Sequence, residues 1–188
     1  MSASLRTLPA TPDAVVLFVG SDHGPNQEGL NWFLREVWPV VYRETPAARL
    51  LIAGGICEAL PEKMPQGVVK LGRVPDMATA YAQASVIIAP ILRGSGLKIK
   101  LLEAIGFGRA CVTTSVGAEG FEALREGLSI ANSAAEFARV TCELLRDPAK
   151  AARSGAALQD QARVHLSPEA CYGPLVGMLL ALDSARKI

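Results

Sequence analysis

The stretch PILRGSGLKIKLLEAIGFGRACVTTSVGA, residues 90–118, joins a Gly-rich loop to a helix and then to an apolar strand. Gly94-Ser95-Gly96 can bring backbone N–H groups close to an anion, because neither glycine has a side chain in the way. The helix predicted for residues 96–107 adds unpaired N–H groups and the positive end of its dipole. Lys98 and Lys100 in its first turn oppose that dipole unless an anion binds there. The stretch therefore predicts a phosphate site.

Glu103 lies one turn beyond Lys100 on the same helix face, because three residues separate them. A carboxylate there can accept two hydrogen bonds from a sugar diol, so the stretch suggests a site for a nucleotide diphosphate. Two plainer interpretations stay open. Lys100 and Glu103 can form an ordinary surface ion pair, which contributes little, and the glycines can be simple turn residues.

Half of the 188 residues are hydrophobic, 5% are aromatic, and the formal net charge is +1. The length and the apolar fraction predict one domain with a substantial core. The sequence lacks the basic stripe with interleaved aromatic residues that is typical of a nucleic-acid surface. The longest apolar runs, residues 86–92 and 174–182, are too short to span a bilayer. The N-terminus lacks the apolar core of a signal peptide. We therefore expect a cytoplasmic protein with no transmembrane segment and no nucleic-acid partner.

The cysteines and histidines argue against a metal site. The four cysteines are scattered without a C-x-x-C pair, and His23 and His165 are the only imidazoles in the sequence. Reduced, buried thiols are the expected state, and zinc is not expected. The chain has no Asp-x-Asp, so we expect no metal at the diphosphate and no other cofactor.

Buried apolar runs alternate with segments of helical spacing along the chain. Strands are predicted at residues 14–19, 49–53, 67–71, 85–89 and 110–114, with a short sixth at 128–131. Helices are predicted at residues 26–42, 76–84, 96–107 and 133–145, followed by two from about Pro148 and Pro168. This alternation favours parallel strands joined by right-handed crossovers. The predicted fold is a doubly wound, mostly parallel α/β sheet of the Rossmann-like type.

The chain is predicted to divide into an N-terminal tail or linker (1–13), a Rossmann-like domain (14–147) and C-terminal helices of the same domain (148–188). Asp76 and Ser133 are the expected N-caps of two helices. One face of the last helix is apolar, and we expect it to pack on its own domain, with a partner surface as the alternative. Its side chains are Leu175, Val176, Met178, Leu179, Leu180 and Leu182.

Ligands of doubly wound sheets bind beyond the carboxyl ends of the strands. Four Gly-bearing loops follow predicted strands and should therefore converge on one edge. They are Gly20-Ser21, Gly72-Arg73-Val74, residues 93–96 and residues 115–120. Their convergence supports a ligand site better than any single loop does.

The sequence argues against several common sites. Residues 20–25 read GSDHGP, so the first strand is not followed by the G-x-G-x-x-G of a dinucleotide site. No Walker loop and no G-x-S-x-G elbow occur, and Ser95 has no His partner in its sequence context. Asp22 stands alone where a phosphoacceptor domain has an acidic cluster. We interpret His23 as a loop histidine rather than a base.

The ordered segments of the chain resemble one family, the group 1 glycosyltransferases. Those similar to its C-terminal half are LFVGS (17–21), PNQEGLNWFLREVWP (25–39), LLIAGG (50–55), VVKLGRVPDMATAYAQASVIIAP (68–90) and RGSGLKIKLLEAIGFGRACVTTSVGAEGF (93–121). Members are retaining, sugar-nucleotide-dependent enzymes with the GT-B fold of two facing Rossmann-like domains. The resemblance covers about residues 15–145 and implies the domain that binds the nucleotide-sugar donor.

The resemblance implies roles for the matching positions. Glu103 would hold the ribose diol, and Gly72-Arg73-Val74 would frame the base. Gly117 and Glu119 would belong to the loop at the donor sugar. No catalytic residue is implied. The diphosphate would be bound by Gly20, Ser21, Arg93, Gly94, Ser95, Gly96, Lys98 and Lys100.

Two features depart from the family pattern. Many members carry two glutamates separated by seven residues, the first of which touches the donor sugar, and Ser95 occupies that first position here. Many members also carry an Arg and a Lys in the loop after the first strand, whereas residues 20–27 offer only His23. We expect Arg93, Lys98 and Lys100 to compensate.

The resemblance implies a retaining transferase of the hexosyltransferase type, active in polysaccharide biosynthesis without a metal. Its acceptor would be held by an N-terminal domain, and nothing before residue 15 could form one. We therefore expect a fragment, or a natural half whose partner is a separate subunit. Two alternatives stay open: a non-catalytic sugar-nucleotide-binding or partner-scaffold module, and a sugar-nucleotide epimerase on a similar fold.

Overall fold

The computed structural model describes residues 8, 11 and 13–186. Its strands are β1 (Val15–Val19), β2 (Arg49–Ala53), β3 (Val68–Gly72), β4 (Val86–Ala89), β5 (Ala110–Thr113) and β6 (Ser129–Ile130). They form one sheet in the order β3-β2-β1-β4-β5-β6, and every neighbouring pair is parallel. The predicted doubly wound α/β fold is confirmed.

The helices lie between the strands and after the last one. They are α1 (Gly24–Trp32), α2 (Trp38–Glu44), α3 (Met77–Gln83), α4 (Ile99–Gly106), α5 (Ala134–Arg146), α6 (Pro148–His165) and α7 (Pro168–Arg186). A π-helical segment, Phe33–Val37, connects α1 directly to α2 and was not predicted. Two short 3₁₀-helices occupy Gly55–Ala59 and Glu122–Leu124.

The prediction that α4 begins at residue 96 is wrong by three residues. Gly94 and Gly96 have φ angles of +131° and +79°, a region that residues with a side chain rarely adopt. These torsions keep the loop out of the helix and make Lys98 its N-cap residue. The side chains of Asp76 and Ser133 do cap α3 and α5, as predicted. Most of the predicted tail, residues 1–13, lies outside the described residues.

Alternate residues of the central strand face two apolar layers. Val16 and Phe18 of β1 pack in a layer with α1, α2 and α5, whereas Val15 and Leu17 pack in a layer with α3, α4 and α6. A parallel strand that is covered by helices on both faces is apolar throughout. This is why β1 reads VVLFV without polar residues.

The order of the strands reverses between β1 and β4. On one side β1 pairs with β2 along its whole length, and on the other side it pairs with β4 at Val16–Val86 and Leu17–Ile87. The chain leaving β1 enters helices on one face of the sheet, and the chain leaving β4 enters α4 on the other. A crevice opens between such diverging loops at the carboxyl edge of the sheet.

The apolar face of α7 does not pack on the domain, so that prediction is wrong. Its described apolar side chains are 49% to 66% exposed: Leu175, Val176, Met178, Leu179 and Leu182. The side chain of Leu180 lies outside the described set. Leu158 and Ala162 of the preceding helix are already buried in the layer that α3, α4 and α6 form, so α6 rather than α7 closes this side of the core.

Gly29 in α1 permits close approach of that helix to the end of β4. A Cβ at this position would come within 1.8 Å of the Pro90 carbonyl oxygen. We expect Gly29→Ala to lower the free energy of unfolding by about 1–3 kcal/mol, although alanine in a helix is favoured by roughly 0.5–1 kcal/mol. Urea denaturation measures the change.

The matched control is Gly24→Ala at the start of the same helix, where an added Cβ meets nothing within 4 Å. It should change the free energy of unfolding by less than about 0.5 kcal/mol. Equal stabilities of the two variants would contradict the close approach of α1 to Pro90.

Candidate functional site

A cavity of about 620 Å³ opens at the carboxyl edge of the sheet, where the strand order reverses. Its volume is in the range of small-molecule sites. Loops after β1, β2 and β4 and the first turns of α4 form its wall. The lining residues are Val19, Gly20, Ser21, His23, Pro25, Asn26, Gly54, Gly55, Ile91, Arg93, Gly94, Ser95, Leu97, Lys98, Ile99, Lys100 and Glu103.

The lysine that precedes α4 donates a hydrogen bond back to the Gly-rich loop. The Lys98 ammonium donates to the Gly96 carbonyl oxygen at 2.7 Å, and the residue is only 8% exposed. Because Lys98 precedes the first helical turn, it is not restricted to the side of α4 opposite Lys100. Both lysines line the cavity.

Lys100 is a half-buried cation whose partners are uncharged. Its ammonium donates to the amide oxygen of Asn26 and lies 4.7 Å from the centroid of the Phe18 ring. Burial lowers the pKa of Lys100 to about 8. Among the described residues no carboxylate forms an ion pair with this lysine. The surface ion pair with Glu103, one of the plainer interpretations of the sequence, is therefore not formed.

Glu103 is positioned by a buried tyrosine instead. The Tyr81 hydroxyl lies 3.1 Å from Oε2 of Glu103, and Tyr81 itself is fully buried. Burial, and then the charge of Glu103, raise the pKa of Tyr81 far above its usual range. The hydroxyl therefore stays protonated and donates to the carboxylate, whose residue is exposed at the cavity wall.

Arg93 completes the group of cations at the cavity. Its guanidinium pairs with Glu28 of α1, and its side chain is 74% exposed. Such an exposed pair contributes little to stability. Arg93 can therefore exchange Glu28 for another anion at small cost.

Two of the loops predicted for the site lie outside the cavity lining. Gly72-Arg73-Val74 is adjacent to it, because a Cβ on the lining residue Gly55 would come 3.6 Å from the Arg73 guanidinium. Arg73 pairs with Glu58 at 3.0 Å. The assignment of this loop to a base stays a prediction.

Gly117 and Glu119 are also absent from the lining. A Cβ on Gly117 would meet Oγ1 of Thr113 at 2.0 Å, so this glycine has a packing reason of its own. Glu119 is exposed. Their assignment to a donor sugar stays a prediction.

Asn26 and Gly54-Gly55 also line the cavity, although no site role was predicted for them from the sequence. Gly54 has a φ of +105°, and a Cβ there would come 2.2 Å from the Gly20 carbonyl oxygen. Because Gly54-Gly55 directly follow a predicted buried strand, the sequence pattern that indicated the other site loops could also have indicated this one. Asn26 gives no such indication, because its contact with Lys100 joins residues 74 positions apart.

The structure shows neither a metal cluster nor a membrane-spanning helix in the part of the chain it describes. No group of three or more His, Cys, Asp or Glu side chains among residues 8, 11 and 13–186 could hold a metal ion. None of the described helices is long and apolar enough to cross a membrane.

The fold and its cavity define a Rossmann-like domain with a ligand cleft at the point where the strand order reverses. The sequence model described as "Glycosyl transferases group 1" matches residues 13–147. The chain therefore belongs to the group 1 glycosyltransferases.

One curated relative is an uncharacterized 44.6 kDa protein in the cps region of Klebsiella pneumoniae. It is 34% identical over 136 residues, which cover 66% of this chain and 35% of the relative. The chain thus spans about a third of that protein's length.

Solved structures of low sequence identity share the fold. TarM of S. aureus, solved with UDP, is 16% identical with a TM-score of 0.75, and the match covers 92% of this chain and 37% of TarM. The C-terminal domain of the group 1 protein LpcC from Francisella tularensis is 14% identical with a TM-score of 0.69, covering 89% of this chain and 99% of that domain. HepE of Anabaena, solved with UDP-glucose, is 15% identical with a TM-score of 0.67, covering 90% and 49%.

The lowered pKa of Lys100 predicts a specific pH dependence of stability. The folded state releases this proton near pH 8, whereas the unfolded chain retains it to about pH 10.5. Because the unfolded state then binds more protons, stability rises with pH between these two values, and the gain is lost as pH falls through 8.

Urea denaturation of wild type and Lys100→Met at pH 7, 9 and 10.5 measures this effect. The methionine has a similar length and does not titrate. The difference between the two free energies of unfolding should shift in favour of wild type as the pH rises. A difference that is independent of pH would show that Lys100 titrates alike in both states.

Proposed function

We propose that this chain is the donor-binding domain of a retaining group 1 glycosyltransferase of the hexosyltransferase type. It binds a nucleotide-diphosphate sugar, without a metal ion, for transfer to an acceptor held by a second domain. The observation that carries the proposal is the cavity that brings the Gly-rich loop, Lys100 and Glu103 together at the reversal of strand order. Family membership supplies the class of reaction.

In the proposed complex, the diphosphate lies against the start of α4. Backbone N–H groups of Gly94-Ser95-Gly96 and of Gly20-Ser21 face it, and Lys98, Lys100 and Arg93 supply the positive charge. A helix start combines free N–H groups with a positive dipole end.

The nucleoside extends from the diphosphate toward α3. Glu103 accepts hydrogen bonds from the ribose hydroxyls through its exposed carboxylate, and Gly72-Arg73-Val74 borders the base. Gly117 and Glu119 lie on the side of the donor sugar. Charge-assisted hydrogen bonds to a carboxylate are stronger than those to a neutral acceptor, so Glu103 favours a ribonucleotide.

Catalysis in this proposal consists of positioning and charge stabilisation. As the bond between the sugar and the diphosphate breaks, negative charge grows on the departing phosphate. The protonated Lys100 ammonium and the backbone N–H groups stabilise that charge in an enclosed site. No side chain of the cavity is assigned as a nucleophile.

The comparisons support a sugar nucleotide as donor and a polysaccharide pathway as context. TarM and HepE were solved with UDP or UDP-glucose, and the Klebsiella relative is encoded in a cps region. That relative and TarM are both much longer than this chain. We propose that the acceptor is bound by a second domain, in the same polypeptide or in a separate subunit.

The proposal predicts donor binding without transfer by this chain alone. Calorimetric titration with UDP, GDP and ADP and with their glucose and N-acetylglucosamine derivatives should show saturable binding of at least one nucleotide. Sugar transfer should require addition of an acceptor-binding domain, because one wall of the cleft cannot hold both substrates. Failure to bind any of these nucleotides would refute the donor site, and efficient transfer by this chain alone would refute the need for a second domain.

Lys100 should provide most of the side-chain charge at the diphosphate. We expect Lys100→Ala to reduce the affinity for the best nucleoside diphosphate by more than tenfold, about 1.4 kcal/mol or more. Lys98→Ala should have a smaller effect, because its ammonium already donates to Gly96. Affinity for the uncharged nucleoside should hardly change in either variant.

The control is Lys150→Ala, which removes the same charge from α6, outside the cavity lining. It should leave both affinities unchanged. Equal losses for diphosphate and nucleoside in Lys100→Ala would indicate general damage to the site rather than a lost charge interaction.

A further inference from the structure

We propose that Tyr81 is a positioning residue that orients the Glu103 carboxylate toward the ribose hydroxyls of the donor. This inference rests on the proposed function, and it adds a residue that does not line the cavity. Tyr81 belongs to α3, whereas Glu103 belongs to α4. The contact between them therefore depends on how two helices pack on the same face of the sheet.

Packing of the Tyr81 ring fixes the side chain independently of the hydrogen bond that its hydroxyl makes to Glu103. The residue is fully buried, and its ring stacks on Phe107 with 4.7 Å between centroids and 23° between the planes. Phe107 follows the last residue of α4. The ring thus lies along α4, and its hydroxyl points to the middle of that helix.

The hydroxyl has one proton and two acceptors within reach. Oε2 of Glu103 lies at 3.1 Å and the Lys100 carbonyl oxygen at 3.4 Å. The carboxylate is closer and charged, so it accepts the hydrogen bond from the hydroxyl. One side-chain oxygen of Glu103 is then held, while Oε1 and the remaining lone pairs of Oε2 stay available.

The hydrogen bond from Tyr81 matters because the Glu103 side chain is exposed on the surface of α4. A free glutamate loses rotamer freedom when it binds a ligand. Tyr81 removes part of that freedom in the unliganded protein, which lowers the cost of binding. Two ribose hydroxyls can then donate to a carboxylate whose orientation is already set.

Tyr81 also connects two parts of the proposed site. It lies on the helix that follows the loop Gly72-Arg73-Val74, the segment proposed to border the base. The Asp76 side chain caps that helix by accepting from the Ala78 N–H at 3.0 Å. A rigid α3 thus fixes the spacing between the base loop and the ribose carboxylate.

The test compares wild type with Tyr81→Phe, which keeps the stacked ring and removes only the hydroxyl. The ligands are UDP, GDP or ADP, whichever binds best, and its 2′,3′-dideoxy analogue, which lacks both hydroxyls. We expect Tyr81→Phe to lower the affinity for the ribonucleotide about threefold to tenfold, the effect of one hydrogen bond. The affinity for the dideoxy analogue should not change. The ratio of the two affinities does not depend on the fraction of folded protein, so a purely structural role would leave it unaltered.

Two further variants sharpen the result. In a Glu103→Ala background, Tyr81→Phe should cause no additional loss, because the group that it positions is gone. Tyr42→Phe is the matched control, since Tyr42 packs against Trp38 in the layer on the other face of the sheet. It should preserve both affinities.

The outcomes separate this inference from the proposed function. If wild type binds none of the three nucleotides, the proposed function fails and the role of Tyr81 fails with it. If wild type prefers the ribonucleotide and Tyr81→Phe retains that preference in full, the role of Tyr81 is refuted while the donor site stands. If wild type binds both analogues equally, Glu103 does not recognise the diol and Tyr81 positions nothing for it.

Discussion

Contact between backbone segments at the carboxyl edge of the sheet is the constraint on which the site depends. A Cβ on Gly54 would come 2.2 Å from the Gly20 carbonyl oxygen, and one on Gly29 would come 1.8 Å from that of Pro90. These approaches bring the loops after β1, β2 and β4 within reach of one small ligand. The apolar strands determine where the loops begin, and the glycines set how closely they meet. The polar side chains then act at positions that the backbone has already fixed.

Lys100 shows what this arrangement costs the folded protein. A buried ammonium loses hydration, and its usual compensation is a carboxylate. Here it has a neutral amide oxygen from Asn26 and the face of the Phe18 ring, which compensate only in part. Ionisable groups with strongly shifted pKa values concentrate at functional sites. The environment of Lys100 therefore favours a role in binding an anion over a role in stabilising the fold.

The sequence predicted the sheet well because buried parallel strands are continuous apolar runs, such as VVLFV at β1. It placed the start of α4 three residues early, because helical spacing continues into a loop that only the positive φ of Gly96 separates from the helix. The contact between Asn26 and Lys100 could not be predicted, since it depends on the packing of residues 74 positions apart. The error at α7 has another cause. Periodicity shows which face of a helix is apolar, but it does not show what covers that face.

The three cations of the site already have partners in this structure, and the partners differ in a way that matters for binding. Arg93 has the carboxylate of Glu28, in a pair so exposed that its loss costs about 0–1 kcal/mol. Lys98 has the Gly96 carbonyl, a contact that can persist when phosphate binds, because an ammonium has three donors. Lys100 has the Phe18 ring and the amide of Asn26, whose oxygen is a weaker acceptor than a phosphate oxygen. Lys100 is thus oriented without being neutralised, so its positive charge remains available to an anion.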